Sequence, residues 1–389
     1  MRILFLAPQP FFQERGTTIA VDLMVKCLSE RGDEVDLLTF HLGADREYPG
    51  LTLTRIEPPF APSSISPGFS WKKIYCDLFM LRTAVRMMRA RRYDLIHAVE
   101  EASFIAMALS ALFRVPYVFD MDSSMAAQML DRFRWMRPAG RLLYWLETLP
   151  MRRALAVVPM CEDLAIRARR YCRGIVHVLK DVSLITDTRS AAAEDLRGRL
   201  QIEGPMLMYV GNLERYQGID LLLQSLAELG ETHPDAALVI VGGGQPDIEA
   251  YREKAWALGV ADRVHLVGPR PVAALGDYLR QATLLVSPRI QGTNTPMKIY
   301  SYLDSGVAVV ATAKPTHTQV MTGNEAALAR PEPAAMAAAI AGLLDDPAER
   351  ARLARNARSL IRAEHSWESF RSNVHRVFGE LEARLDAGS

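Results

Sequence analysis

The chain has 389 residues, 49% of them apolar and 23% charged, with 46 Lys and Arg against 45 Asp and Glu. At about 150 residues per domain that length is two or three domains, and the composition excludes wholesale disorder. Cys27, Cys76, Cys161 and Cys172 form no Cys-x-x-Cys pair and the eight histidines no close pair, so neither a disulfide framework nor a zinc site is expected.

The near-neutral total hides an asymmetry. Residues 1–180 carry 25 Lys and Arg against 19 Asp and Glu, and residues 181–389 carry 21 against 26. The basic half is expected to face something anionic. No helix-turn-helix, zinc-finger or RNP-type pattern accompanies it, which argues against nucleic acid. The longest apolar stretch, Ala102 to Phe113, is 12 residues including two serines, short of the ~20 that span a bilayer. The chain reads as a soluble protein.

Strand-like apolar runs alternate with helical patterns from the first residues onward, the mark of parallel α/β layers. Ile3–Pro8 reads as a buried strand, followed by a loop and a helix carrying Ile19, Leu23, Val25 and Leu28. Val35–Phe40, Asp94–His97, Tyr117–Asp120, Ala156–Pro159 and Val176–Leu179 are further strands, with an Ala-rich helix starting after Glu100. Residues 184–204 are polar and read as a linker. A second series follows: Met206–Val210, Ala237–Val241, Val264–Val267, Leu284–Ser287 and Val307–Ala311. An amphipathic helix from Trp367, with Phe370, Val374, Val377, Phe378 and Leu381 on one stripe, closes the chain. The predicted class is α/β, with two Rossmann-like doubly wound parallel-sheet domains. In such sheets ligands bind beyond the carboxyl ends of the strands, so the loops there carry the functional residues.

Four of those loops are unusual. Gln13-Glu14-Arg15-Gly16-Thr17 leads straight into a helix, where a glycine and free N–H groups suit an anion. Gly211-Asn212-Leu213-Glu214-Arg215-Tyr216-Gln217-Gly218 brackets polar residues with two glycines. Gly242-Gly243-Gly244 ends the next strand, either for a ligand or simply for a tight turn. In Ser287 to Tyr302 the Thr293-Asn294-Thr295 run before Pro296 reads as a helix N-cap with proline in the first turn. Arg289 and Lys298 flank that turn.

These stretches, with Arg31-Gly32-Asp33-Glu34-Val35 and the segment to Gly306, resemble those of the retaining nucleotide-sugar glycosyltransferases of family 4, which have the GT-B fold. In order and spacing the likeness spans nearly the whole chain. It implies two domains facing across a cleft: 1–183 with the returning helix 367–389 for the acceptor, and 205–366 for the nucleotide-sugar donor. It also implies that no metal or other cofactor takes part. The sequence departs from the family where an arginine and a lysine usually contact the donor diphosphate, since Asn212 and Gln217 stand there. The usual pair of glutamates falls on Thr293 and Ser301, and a frequent histidine on Asp122.

Catalysis on this reading falls to Asp122, Lys298 and Arg215. Asp122 orients the donor sugar or acceptor hydroxyl, or alternatively caps the helix beginning at Ser123. Gly16, Thr17, Gly211, Asn212, Gln217, Gly243, Arg270, Thr293, Asn294, Thr295 and Ser301 hold the donor. Glu100 and Glu101 are further candidates. Two other readings stand beside it: a nucleotide-sugar epimerase of the same fold, and a catalytically silent sugar-nucleotide-binding subunit.

The basic half carries Arg82, Arg86 and Arg89 on one side of a helical pattern, with Leu78, Leu81, Val85 and Met88 on another. A second cluster, Arg132-Phe133-Arg134-Trp135-Met136-Arg137, precedes Leu142-Leu143-Tyr144-Trp145. Such mixtures suit an anionic membrane surface, or else a core helix with a solvated basic face. The first option places the protein in the cytoplasm at the inner face of a membrane, with a lipid-linked sugar or glycan as acceptor.

Overall fold

Strands buried on both faces read as continuous apolar runs, and here they sort into two parallel sheets. The computed structural model describes residues 1–13, 16–65, 70–185, 193–292 and 294–387. The chain divides into one unit of Met1–Lys180 with Phe370–Ser389 and a second of Asp181–Ser369. The stretch 184–204 lies within the second unit and contains a short helix, Leu196–Arg199. Residues 186–192, like Arg15 and Thr293, fall outside the described residues.

The first unit contains β1 (Arg2–Ala7), β2 (Glu34–Thr39), β3 (Leu51–Arg55), β4 (Leu95–Val99), β5 (Tyr117–Met121), β6 (Ala156–Pro159) and β7 (Ile175–Val176). Their order is β3-β2-β1-β4-β5-β6-β7, all parallel. At its centre Ile3, Leu4, Phe5, Leu6 and Ala7 are wholly buried. The second unit contains β8 (Met206–Val210), β9 (Ala237–Val241), β10 (Val264–Gly268), β11 (Leu284–Ser287), β12 (Val309–Thr312) and β13 (Ala327–Ala329), in the order β10-β9-β8-β11-β12-β13. Each sheet therefore reverses its winding beside its first strand, between β1 and β4 and between β8 and β11. A crevice opens beyond the strand ends at such a reversal.

Two edge strands, β3 and β13, were not legible as strands. β3 reads Leu-Thr-Leu-Thr-Arg and stays partly exposed along its length, so it lacks the apolar run that marks the central strands. The expected strand Val176–Leu179 shrinks to Ile175–Val176, because this edge has a neighbour on one side only.

The crossovers β3→β4, β4→β5, β5→β6 and β6→β7 all step in one direction. Right-handed connection puts their helices on one face of the sheet. These are Trp71–Ala90, Ala102–Phe113, Gly140–Arg153 and Glu162–Tyr171. They bury Met80, Ala84, Ile105, Leu109, Met151 and Leu164 in a common cluster. Helix Gly16–Arg31 steps the other way and covers the opposite face. The C-terminal helix Trp367–Ala387 joins it there: Arg31 Nη1 donates to Glu382 Oε2 at 2.8 Å, and Phe378 stacks on His97 with ring centroids 5.8 Å apart. Its apolar stripe is buried at Phe370, Val374, Val377, Phe378 and Leu381. Phe378→Ala is expected to cost about 3–5 kcal/mol of stability, read by denaturant unfolding, because Phe378 is 1% exposed and its loss leaves a cavity against the sheet.

Candidate active site

The second unit gathers its unusual loops at the reversal between β8 and β11. Gly211 follows β8 at φ 147°, and a Cβ there would lie 3.0 Å from Lys298 Nζ and 3.1 Å from Tyr209 Oη. Gly218 has φ 78°, and a Cβ would collide with the carbonyl oxygen of Pro288. A side chain at Gly218 would push the loop after β8 away from the loop after β11, and one at Gly211 would crowd the Lys298 ammonium. The two loops are tied by Ile290 N donating to Tyr216 O at 3.0 Å.

Between them lie two cations. Lys298 Nζ sits 3.8 Å from the centroid of the Tyr209 ring and donates to Gln217 Oε1 at 3.2 Å. Arg289 is buried, with its guanidinium carbon 5.1 Å from the Tyr216 ring centroid. Its Nε donates to Gln291 O at 2.8 Å and its Nη2 to Asn294 Oδ1 at 3.0 Å. Among the described residues neither cation has a carboxylate within ion-pair distance. Burial, and then the charge of Arg289, hold the Lys298 ammonium well below the ordinary lysine range; burial likewise lowers Arg289. Lys298 nonetheless keeps part of its surface open, as a side chain on the wall of a concave site does. On the same turn, Thr295 is 1% exposed and its Oγ1 has no partner. Paired cations, a spare hydroxyl and no counter-charge make a site for an oxyanion.

His317 lies behind this wall, fully buried, with Nε2 2.9 Å from Ser287 Oγ and Nδ1 2.8 Å from Thr312 O. Burial pushes its pKa down to about 4, so it stays neutral and adds no third charge.

The first unit presents the opposite polarity. Glu100, in the left-handed region at φ 47°, follows β4 and accepts from Ser123 Oγ at 2.9 Å, and Gln128 Nε2 donates to Ser123 Oγ at 2.7 Å. Glu101 pairs with Lys73, and Asp120 lies 3.0 Å from His97 Nε2. Burial, and next the charge of Glu101, raise the Glu100 carboxyl. The same two causes push Asp77 up to about 8, with Lys73 opposing.

Both units fit known families. Residues 193–360 match the model for Glycosyl transferases group 1, and residues 15–179 match the Glycosyl transferase 4-like domain. The chain belongs to the group 1 glycosyltransferases. It is 25% identical over 319 residues to the Alpha-D-kanosaminyltransferase of Streptomyces kanamyceticus, covering 78% of this chain and 81% of that one. It is 35% identical over 167 residues to a D-inositol 3-phosphate glycosyltransferase of Acidothermus cellulolyticus, covering 41% and 37%. Sucrose-phosphate synthase from Thermosynechococcus elongatus shares the fold at a TM-score of 0.81 over all of both chains, with 22% identity. Anabaena HepE, solved in complex with UDP-glucose, shares it at 0.75, with 18% identity over 98% of this chain and all of that one. This group 1 glycosyltransferase thus has the GT-B fold and belongs to a nucleotide-sugar-using, retaining family.

Several residues singled out in the sequence come together in the glycosyltransferase. Gly211, Gln217 and Asn294 border the cation pair that Lys298 forms with Arg289, and Thr295 lies on the turn before Lys298. Asn212 is exposed beside it, its Nδ2 3.5 Å from Tyr216 Oη and its carbonyl accepting from Tyr209 Oη at 2.7 Å. Others lie apart. Arg215 is exposed on the turn Arg215–Gln217, near Tyr251. Arg270 is bound to Glu194 at 2.6 Å and to the carbonyl of Val267. Ser301 is fully buried, and its Oγ accepts from Leu184 N at 3.0 Å. Gly243 packs against Leu213. In the first unit Gly16 and Thr17 open helix Gly16–Arg31, with free space around Gly16, and Asp122 follows β5.

Two local expectations are corrected. The helix after β11 starts at Lys298, with no side-chain cap, rather than at Pro296. Helix Met125–Arg132 is capped by Ser124, whose Oγ accepts from Ala127 N at 3.2 Å, not by Asp122. Sequence reasoning left Arg289, Tyr209 and Tyr216 out of the site. The signal for Arg289 was its place directly after a strand end.

Gly218→Ala is expected to lower the melting temperature and weaken nucleotide binding together, since both loops must move. Asp77 gives a pH test. The folded state holds a proton that the unfolded chain releases above pH ~3.8, so stability falls as pH rises from about 4 to about 8. Asp77→Asn should therefore be more stable than the parent at pH 8, with the gap closing below pH 4, as read by thermal unfolding across pH.

Proposed function

We propose that this chain transfers a sugar from a nucleoside diphosphate-sugar to an acceptor hydroxyl, with retention at the anomeric carbon and without a metal ion. The observation that carries this reading is the pair Lys298 and Arg289, set at the strand-end reversal with no carboxylate at ion-pair distance among the described residues. A leaving diphosphate gains negative charge as its bond to the sugar breaks, and fixed cations in a concave, poorly hydrated site stabilise that charge. Bound diphosphate would also favour the charged form of Lys298, which burial alone disfavours.

In this assignment Gln217 and the Tyr209 ring orient Lys298, and Thr295 donates its hydroxyl to a phosphate oxygen. Asn212 and Asn294 border the nucleotide, and Arg215 attracts it from outside. Gly16 and Thr17 offer amides, and Asp122 orients the reacting hydroxyl. The cation pair stands in for the arginine and lysine absent at Asn212 and Gln217. Arg270, Gly243 and Ser301 act by holding the fold of the site rather than by touching the donor. The complex of HepE with UDP-glucose supports a nucleoside diphosphate-hexose as donor class. The acceptor is a lipid-linked sugar or a glycan intermediate, and the work is done in the cytoplasm.

Lys298→Met tests the assignment. It should lower kcat about 10²–10³-fold, the usual loss for one transition-state donor, while leaving the melting temperature equal or higher because an unpaired charge has gone. Turnover near the parent rate would remove Lys298 from the mechanism. Calorimetric titration with UDP, GDP and ADP, followed by a product assay on the matching sugar nucleotides, separates the readings. Binding without any turnover marks a silent subunit, and an epimerised sugar nucleotide marks an epimerase.

A further inference from the structure

Among the described residues, nine of the eleven exposed large apolar side chains belong to the first unit. Apart from Phe60, they lie on the segments between β3 and β7 that cover one face of its sheet. Trp71 is 80% exposed, Trp135 78%, Leu78 62%, Leu142 55% and Trp145 50%. The sequence pattern put Leu78 on the apolar side of its helix. The structure instead buries Cys76, Met80, Ala84 and Met88 and turns Leu78 outward with the arginines.

On helix Trp71–Ala90 and the segment 134–153 the exposed charges have one sign, and the acids Glu162 and Asp163 are confined to the start of helix Glu162–Tyr171, where Glu162 pairs with Arg169. Arg82, Arg86, Arg89, Arg137 and Arg141 are exposed. Over the segments 71–90, 102–113 and 134–153 the only acidic residues are Asp77 and Glu147. Asp77 is set into the cluster around Lys73, and Glu147 is 2% exposed at its side chain and paired with Arg167 at 2.9 Å. Helix Trp71–Ala90 is about 30 Å long at 1.5 Å per residue. It presents Trp71 and Leu78 toward its start and the three arginines toward its end.

We propose that this helical face docks on a lipid bilayer carrying anionic headgroups. Tryptophan fits the boundary between headgroups and acyl chains, and arginine binds lipid phosphate while its stem covers apolar surface. A negative bilayer complements helix Trp71–Ala90 and the segment 134–153, whose exposed charges are positive, and its apolar boundary takes scattered Trp and Leu side chains that no groove gathers together. The reading stands apart from the sugar-transfer proposal, since nothing in it uses the Lys298 site. It deepens that proposal by bringing a lipid-linked acceptor to the same surface.

The test is co-sedimentation of the full chain with vesicles of phosphatidylcholine alone and of phosphatidylcholine mixed with phosphatidylglycerol, at low and high salt. Binding should require phosphatidylglycerol, weaken with salt and blue-shift tryptophan fluorescence. Arg82→Glu/Arg86→Glu/Arg89→Glu should weaken it at least about a hundredfold, at roughly 1 kcal/mol per lost basic residue. Trp135→Ser/Trp145→Ser should abolish most of the fluorescence shift. Unchanged UDP binding and circular dichroism in both variants show that they fold. Equal recovery on neutral and anionic vesicles, variants that bind like the parent, or a stable dimer in sedimentation equilibrium that hides these tryptophans would each overturn the proposal.

Discussion

A lysine and an arginine held together without a counter-charge are the constraint around which the second unit is organised. Such an arrangement costs several kcal/mol per ion when solvent is excluded, roughly what a buried pair recovers only through good geometry. Here every partner is neutral: a tyrosine face for each cation, a glutamine oxygen, an asparagine oxygen and a backbone carbonyl. These soften the desolvation without cancelling the charge, so the site retains its affinity for an anion. The glycines at 211 and 218 follow from this. One leaves room at the ammonium, and the other lets the two loops close on each other.

The first unit solves the same topological situation with the opposite charge. At the ends of β4 and β5 the carboxylates Glu100, Glu101 and Asp120 meet Lys73, His97 and Ser123. Burial, and after it the charge of Glu101, raises the carboxyls of Asp77 and Glu100. A cation-rich crevice in one unit and a carboxylate-rich one in the other fit chemically different ligands.

Relatives with little identity share this fold, which shows how weakly the scaffold constrains the site. A parallel sheet needs apolar strands and short loops, and many sequences supply them. Asn212 and Gln217 put no cation at their two positions in the loop after β8, while Arg289 and Lys298 bring theirs from the far side of the same reversal. Two loops distant in sequence therefore act as one surface.

The sequence by itself determined the two α/β units, most central strands, the apolar stripe of the last helix and the loops that matter. Those features depend on local periodicity and on glycine or proline at strand ends, which are written residue by residue. The edge strands β3 and β13 escaped because short or half-exposed strands lack the continuous apolar run of the central ones. Only the tertiary structure decided which loop residues meet. Tyr209 meets Lys298 and Tyr216 meets Arg289 across long separations, whereas Arg270 and Ser301 turn to Glu194 and Leu184. It also decided that Leu78 faces outward, because the sheet claims the other side of its helix. A partner chosen by packing leaves no periodic trace along the chain.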